Sequence, residues 1–233
     1  MRYRLDMKLF LSILLVFVAL QSKAQIGMGT WKLHVATAKA IDVVASESKV
    51  YTAYVNGLSV YDIASDEHAL MTALNGLSDI DISCLYYDSI QDAVYIGYTN
   101  GNIDKLKNGH ISNIPAIKLA QISASKRINR FERHGSYLYV ANDFSVIQLD
   151  ANKDEVKETF YPTNATERVV DVAIYQDSIY ALTPTQLLKG FLTNPLLPDF
   201  SQWVRDIRLP YQTANKYTEM DLFHSRLVVL KKS

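Results

Sequence analysis

The concentrated run of cations in this sequence is Lys126, Arg127, Arg130 and Arg133, with His134 adjacent. A guanidinium is a planar fork of donors that meets phosphate or carboxylate oxygens two at a time, so these ligand-binding candidates could hold an anionic glycan. The same residues also read as a solvated loop leading into a strand, with Arg130 projecting from it. Catalytic chemistry finds no foothold. The five histidines, His34, His68, His110, His134 and His224, have no metal-ligand spacing, so neither a metal nor a cofactor is expected. Cys84 lies between Ile82 and Leu85, where a small buried hydrophobe is the better reading than a nucleophile. No Gly-x-Ser-x-Gly elbow, phosphate-cradling glycine loop or zinc-protease pattern occurs, and no enzyme is expected. Tyr86, Tyr87, Tyr95 and Tyr98 could stack on sugar rings. Alternation along a strand sends neighbours to opposite faces, however, so most of them should pack between sheets.

The elements that carry these residues repeat. A short strand starts at Ser48, Asp92, Ser136, Asp177 and Ser225, at spacings of 44, 44, 41 and 48 residues. In the first four copies the fourth residue is tyrosine: Tyr51, Tyr95, Tyr139 and Tyr180. An apolar strand precedes each copy (40–45, 82–87, 128–133, 169–175 and 217–223), and a turn with a third strand follows the first four. Asn56-Gly57 and Asn100-Gly101 are the strongest turn signals, because both residue types tolerate positive φ. A more polar fourth strand then follows, as at 156–161 and 203–209, which suits a sheet edge facing water. A period of roughly 40 to 50 residues is that of four-stranded propeller blades. The expected fold is therefore all-β: a partial β-propeller of four blades of four antiparallel strands plus half of a fifth. The blades run at about 40–79, 81–126, 127–167, 168–210 and, partially, 216–233.

Residues 1–24 read as a signal helix. Arg2, Arg4 and Lys8 precede an apolar run of 12 residues from Leu9 to Leu20, and Ser22-Lys23-Ala24 forms a small-x-small cleavage site. That run is too short for a membrane span, which takes roughly 20 helical residues, so no span is expected after cleavage. The expected mature chain, 25–233, is exported to the periplasm or the cell surface. Cleavage leaves 20 basic against 23 acidic residues, which removes the electrostatic case for nucleic acid. Cys84 is the only cysteine, so no intrachain disulfide forms and stability must come from burial. Residues 30–35 alternate Trp31, Leu33 and Val35 with Lys32 and His34, a strand that precedes the first repeat. Its natural use is to complete a last blade and fasten a ring, so the chain is expected to be part of a larger propeller. A half blade would also leave apolar flanks uncovered.

Blade two carries Leu74-Asn75-Gly76-Leu77-Ser78-Asp79, then Val94-Tyr95-Ile96-Gly97-Tyr98-Thr99-Asn100-Gly101. This resembles the repeat of two-component-regulator propellers, with Tyr95 in place of the usual tryptophan. Together with Gly29-Thr30-Trp31-Lys32-Leu33-His34 and Ser123-Ala124-Ser125-Lys126-Arg127-Ile128-Asn129, the chain resembles the N-terminal propeller of the PorZ family of the Bacteroidetes type IX secretion system. The resemblance covers most of residues 25–190. It implies a non-catalytic, outer-membrane-associated component of an attachment complex, with a sortase and outer-membrane proteins as partners and anionic lipopolysaccharide as a ligand. The same repeats leave open an extracytoplasmic sensor of a two-component system. A propeller lyase or hydrolase is the third reading, which requires His and acidic side chains converging on the central channel.

Overall fold

The computed structural model describes residues 39–232, and the signal segment and the strand at 30–35 lie outside the described residues. Five antiparallel sheets follow one another along the chain. The first contains β1 (Asp42–Ala45), β2 (Lys49–Tyr54), β3 (Gly57–Asp62) and β4 (Glu67–Met71). The second contains β5 (Ile82–Asp88), β6 (Ala93–Tyr98), β7 (Ile103–Lys107) and β8 (His110–Ile114), followed by the one-turn helix α1 (Ala116–Leu119). The third contains β9 (Ile128–His134), β10 (Tyr137–Asn142), β11 (Val146–Asp150) and β12 (Glu155–Phe160). The fourth contains β13 (Asp171–Tyr175), β14 (Ser178–Leu182), β15 (Leu187–Phe191) and β16 (Val204–Arg205), and the last sheet is the hairpin β17 (Tyr217–Phe223) and β18 (Arg226–Lys231). Each sheet is a meander in chain order, the topology of a propeller blade.

The apolar core lies between the blades. Ala53, Leu58 and Tyr98 belong to a cluster shared by blades one and two. Tyr95, Phe131 and Leu149 belong to a second, between blades two and three. Tyr139, Val172 and Trp203 join blades three and four, and Tyr180, Tyr217 and Met220 join blade four to the last hairpin. The repeated tyrosine of the second strand thus fills the same place each time. Its exposure is 0 % at Tyr95, 2 % at Tyr139 and 5 % at Tyr180. The sheets are stacked face to face and do not merge into one barrel, because each Tyr-bearing strand has its own sheet and a neighbouring sheet to bury against.

Close approach explains one departure inside the repeat. Where blades one and three have Ala53 and Ala141 as the last residue but one of the second strand, blade two has Gly97, and a Cβ there would come within 2.8 Å of Cys84 Sγ and 2.7 Å of Ile128. Gly101 takes φ 87°, as its turn demands. The Asn56-Gly57 turn is built differently: Gly57 is already paired with Tyr54 in β3, so the turn residues are Val55 and Asn56, and neither Asn56 nor Gly57 needs positive φ.

Blade four also differs from the sequence reading. The strand expected at 203–209 is reduced to Val204 and Arg205, paired with Lys189 and Leu188. Trp203 is turned inward instead, its indole N–H donating to Leu197 O at 3.0 Å. Asp206 then ends the strand by accepting from the Arg208 backbone N–H at 3.1 Å, a side-chain turn that competes with the ladder.

Two charged contacts cross from blade two to blade three. Arg133 Nη1 lies 2.7 Å from Asp88 Oδ2, with the side chains 8 % and 1 % exposed, and Lys105 Nζ lies 2.8 Å from Asp154 Oδ1. Removing one member of a buried pair strands the other charge away from water. Arg133→Ala is therefore expected to lower the unfolding free energy by about 3 to 5 kcal/mol in urea titration. Lys49→Ala, which breaks the solvent-exposed pair with Asp62, should leave the urea midpoint nearly unmoved. Equal effects of the two substitutions would refute the interface role of Arg133.

Candidate functional site at the inner strands

The first strands of successive blades, β1, β5, β9, β13 and β17, lie side by side at the inner end of the sheets. A polar side chain at the start of each of the first four reaches the next blade. Asp42 accepts from Leu85 N at 2.8 Å, and Ser83 Oγ donates to Ile128 O at 2.7 Å. Asn129 Nδ2 donates to Val169 O at 2.8 Å, and Asp171 Oδ2 accepts from Met220 N at 2.8 Å. Ser83 and Asn129 each occupy the unpaired place in a β-bulge, between Ile82 and Cys84 and between Ile128 and Arg130. The bulge adds a residue that owes nothing to its own ladder, which frees it to turn toward the neighbouring blade. These residues escaped notice as a set in the sequence, although a small polar residue does recur there at positions 42, 83, 129 and 171.

The inner strands also gather charge. On β9, Arg130, Glu132 and His134 share one face and Phe131 and Arg133 the other, by the two-residue period of a strand. Arg130 Nε lies 3.8 Å from Asp171 Oδ1 on β13. Burial pushes the Glu132 carboxyl up to about 7, reinforced by the negative charges of Asp171 and Asp221 and opposed by Arg130. Asp171, whose side chain is 2 % exposed, is pushed up to about 6 by burial, which outweighs Arg130 and the backbone N–H groups of Met220 and Val172. Among the described residues no three His, Cys, Asp or Glu side chains come together as a metal-ligand set.

The four cations of the run serve different ends. Lys126 Nζ donates to Lys118 O at 2.8 Å and Ala120 O at 2.6 Å, satisfying carbonyls at the C-terminal end of α1. Arg133 is spent on Asp88 and on Gly135 O at 2.8 Å. Arg130, its side chain 44 % exposed, stays at the surface beside Asp171. Arg127 lines an open cavity of about 470 Å³ with Lys39, Asp81 and Thr99, close to where blades one, two and three begin. Both Arg127 and Arg130 act electrostatically on Cys84, which places their guanidiniums around the start of β5. The residues that remain available to an anion are thus Arg127 and Arg130, with Lys39 added by the fold.

Cys84 itself is buried, and desolvation pushes its thiol up to about 12, far from thiolate at neutral pH. Tyr95 and Tyr98 are sealed between blades, and Tyr98 donates to Asp104 Oδ2 at 2.7 Å. That carboxylate also accepts from Ser78 N at 2.8 Å, so the Asn-Gly-Leu-Ser-Asp segment is held by blade two's own third strand. Tyr86 and Tyr87 are half-buried, and Tyr87 donates to Asp92 at 2.9 Å. The tyrosines therefore form no open sugar-stacking platform.

The family model for the N-terminal β-propeller domain of PorZ of the type IX secretion system matches residues 50–204, more than half of the chain. No curated protein matches the sequence. Among solved structures, PorZ of Porphyromonas gingivalis, described as a bacterial surface component of that system, superimposes with a TM-score of 0.71 at 25 % identity. The match covers 83 % of this chain and 25 % of that one, so the chain spans about a quarter of its length. The extracellular domain of the hybrid two-component system BT4673 from B. thetaiotaomicron gives a TM-score of 0.65 at 16 % identity, covering 82 % of this chain and 26 % of that one. The WD40 propeller of Doa1 gives 0.60 at 9 % identity, covering 82 % and 60 %. The last two likenesses are of fold.

The raised carboxyls make stability depend on pH in a stated direction. Glu132 keeps its proton in the folded chain up to about pH 7, whereas an unfolded glutamate releases it near its ordinary value of 4.5. Below that value both states are protonated and the group is neutral to stability. As pH rises toward 7 the unfolded state alone gains the favourable ionisation, so stability falls across this window. Urea midpoints are expected to drop between pH 5 and pH 8, and Glu132→Gln should flatten the slope and raise stability at pH 8. A Glu132→Gln profile parallel to the parent's would contradict the assignment.

Proposed function

The chain belongs to the family of PorZ N-terminal β-propeller domains of the type IX secretion system, and from that premise we propose that it is a non-catalytic, cell-surface component of the attachment complex. In this role it binds anionic lipopolysaccharide through the mouth lined by Arg127 and Lys39, with Arg130 further along on the inner strand β9, and offers its blades to the sortase and outer-membrane proteins of the complex. The observation that carries the reading is the family match across blades one to four. The half-buried Arg127 and the exposed Arg130 support the ligand class, since the fork geometry of a guanidinium suits phosphate and uronate oxygens. The burial of Cys84, whose thiol desolvation pushes up to about 12, supports a binding role over cysteine-based turnover. Residues 39–232 contain no helix long and apolar enough to cross a membrane, which fits an exported chain held at the surface by partners.

Binding of anionic lipopolysaccharide to the chain, measured by biolayer interferometry on immobilised glycolipid, tests this directly. The expected result is saturable binding that weakens with salt. Loss of charge–charge hydrogen bonds in the double variant Arg127→Ala, Lys39→Ala should weaken it by about tenfold or more with an unchanged thermal midpoint. Lipopolysaccharide lacking the anionic repeat should bind weakly to both. Equal affinity of parent and double variant would remove this mouth as the site.

A further inference from the structure

The row of side chains that runs across each blade through the repeated tyrosine differs in blade one. On the third strand the residue paired with that tyrosine is Lys105 in blade two, Gln148 in blade three and Lys189 in blade four. In blade one it is Val60, and the next residue across, on β4, is Ala69. The long side chains have work in the wedge between sheets. Lys105 Nζ stands 5.5 Å from the Tyr95 ring centre and reaches the next blade, where it donates to Ala151 O at 3.0 Å and to Asp154 Oδ1 at 2.8 Å. Gln148 Nε2 donates to the Tyr139 hydroxyl at 2.8 Å. Val60 and Ala69 are too short to do either.

Between blades one and two lies a cavity of about 430 Å³, lined on its apolar side by Tyr51, Val60, Ala69, Met71 and Leu106. Both blades have all four strands among the described residues, so the cavity is bounded by two complete sheets. Its size suits a small molecule, whose sites take roughly 300 to 1,000 Å³. Blade two adds Asp92 to the lining. Asp92 Oδ1 accepts from the Tyr87 hydroxyl at 2.9 Å, and among the described residues no cation pairs with this carboxylate. The cation in the lining, Lys49, lies 2.7 Å from Asp62 Oδ2, with Glu67 acting on it as well. Asp92 and Glu47 both act on Tyr87. The surroundings of the mouth thus set the carboxylates of Glu47, Asp62, Glu67 and Asp92 against the ammonium of Lys49.

We propose that this cavity binds a small organic ammonium with an apolar or aromatic body. The body fills the space beside Val60 and Met71, and the ammonium stands over the Tyr51 ring and pairs with Asp92. The chemistry is already displayed one wedge further on, where the Lys105 ammonium lies over Tyr95 and is held by a carboxylate of the next blade. The face of a tyrosine ring attracts a cation, more strongly where water is partly excluded, and a thioether such as that of Met71 packs well on an aromatic ligand. The excess of carboxylates disfavours anions. That separates this cavity from the Arg127 mouth and makes the inference independent of the lipopolysaccharide reading.

The test titrates the whole chain with phenethylammonium chloride, followed by amide chemical shifts and by calorimetry. Saturable binding with a dissociation constant on the order of 0.1 to 1 mM is expected for so small a ligand, with shifts concentrated around Tyr51, Val60, Asp92 and Leu106. Phenethyl alcohol, which keeps the ring and lacks the charge, should bind about tenfold more weakly, and phenylacetate more weakly still. Asp92→Asn suits the φ of 48° and keeps an oxygen for the Tyr87 hydroxyl, so it should weaken phenethylammonium binding by about tenfold with an unchanged thermal midpoint. Val60→Lys places a tethered ammonium where the ligand's would stand, as Lys105 does one blade on, and should abolish binding. No binding by the parent, equal affinity of the Asp92→Asn or Val60→Lys chain, an alcohol that binds as well as the ammonium, or shifts confined to another part of the molecule would each overturn the proposal. Tighter binding of phenylacetate would likewise overturn it, assigning the cavity to anions at Lys49.

Discussion

No blade of this protein can bury its own two faces. A four-stranded sheet is apolar on both sides here, and the four clusters of buried side chains each draw from two adjacent sheets. Burial between neighbours is therefore the interaction on which the rest depends, and it acts blade by blade as in other repeat architectures. It also explains the tyrosine of the second strand. A large ring fills the wedge between sheets, and its hydroxyl is accommodated differently from blade to blade: Tyr139 accepts from Gln148, while the buried Tyr95 hydroxyl has no hydrogen-bond partner. The Lys105 ammonium lies over that ring, 5.5 Å from its centre, where the negative face of the ring attracts it.

Apolar faces alone do not say how far one sheet slides past the next. Directional bonds supply that information at the inner strands, where Asp42, Ser83, Asn129 and Asp171 each engage the backbone of the following blade. Two of the four depend on a bulge, which is a local defect in one ladder used to make a contact across sheets. Further out, Arg133–Asp88 and Lys105–Asp154 do the same for blades two and three. Buried pairs of this kind add little net stability against an apolar replacement, but they penalise any misalignment that separates them.

The architecture was legible in the sequence because its cause is periodic. Turn residues, alternating strands and the repeated tyrosine recur at a near-constant interval, and each is a local property that a linear reading can see. The cationic run shows where such reading stops. Arg130 and Arg133 look like neighbours on the chain, yet three residues along a strand is an odd number, so one faces Asp171 and the other is sealed against Asp88. Lys126 was beyond reach for another reason: its partners are the carbonyls of α1, a single turn of helix too short to leave a periodic signal. Glu132 and Lys39 join the site only through packing of distant segments, and no spacing in the sequence announces them.

The bulge offers one more step. On β17 the register shifts between Tyr217 and Glu219, so Thr218 occupies the place that Asn129 holds on β9 and Ser83 on β5. Like them it is small, polar and free of its own ladder, yet its hydroxyl makes only a long bond of 3.4 Å back to Leu230 O, within its own hairpin. The same residue class at the same geometric position has a cross-blade partner in two earlier blades and turns inward here. The bulge therefore frees a side chain without choosing its acceptor; the acceptor is supplied by the blade packed beside it, as Ile128 O and Val169 O are for Ser83 and Asn129.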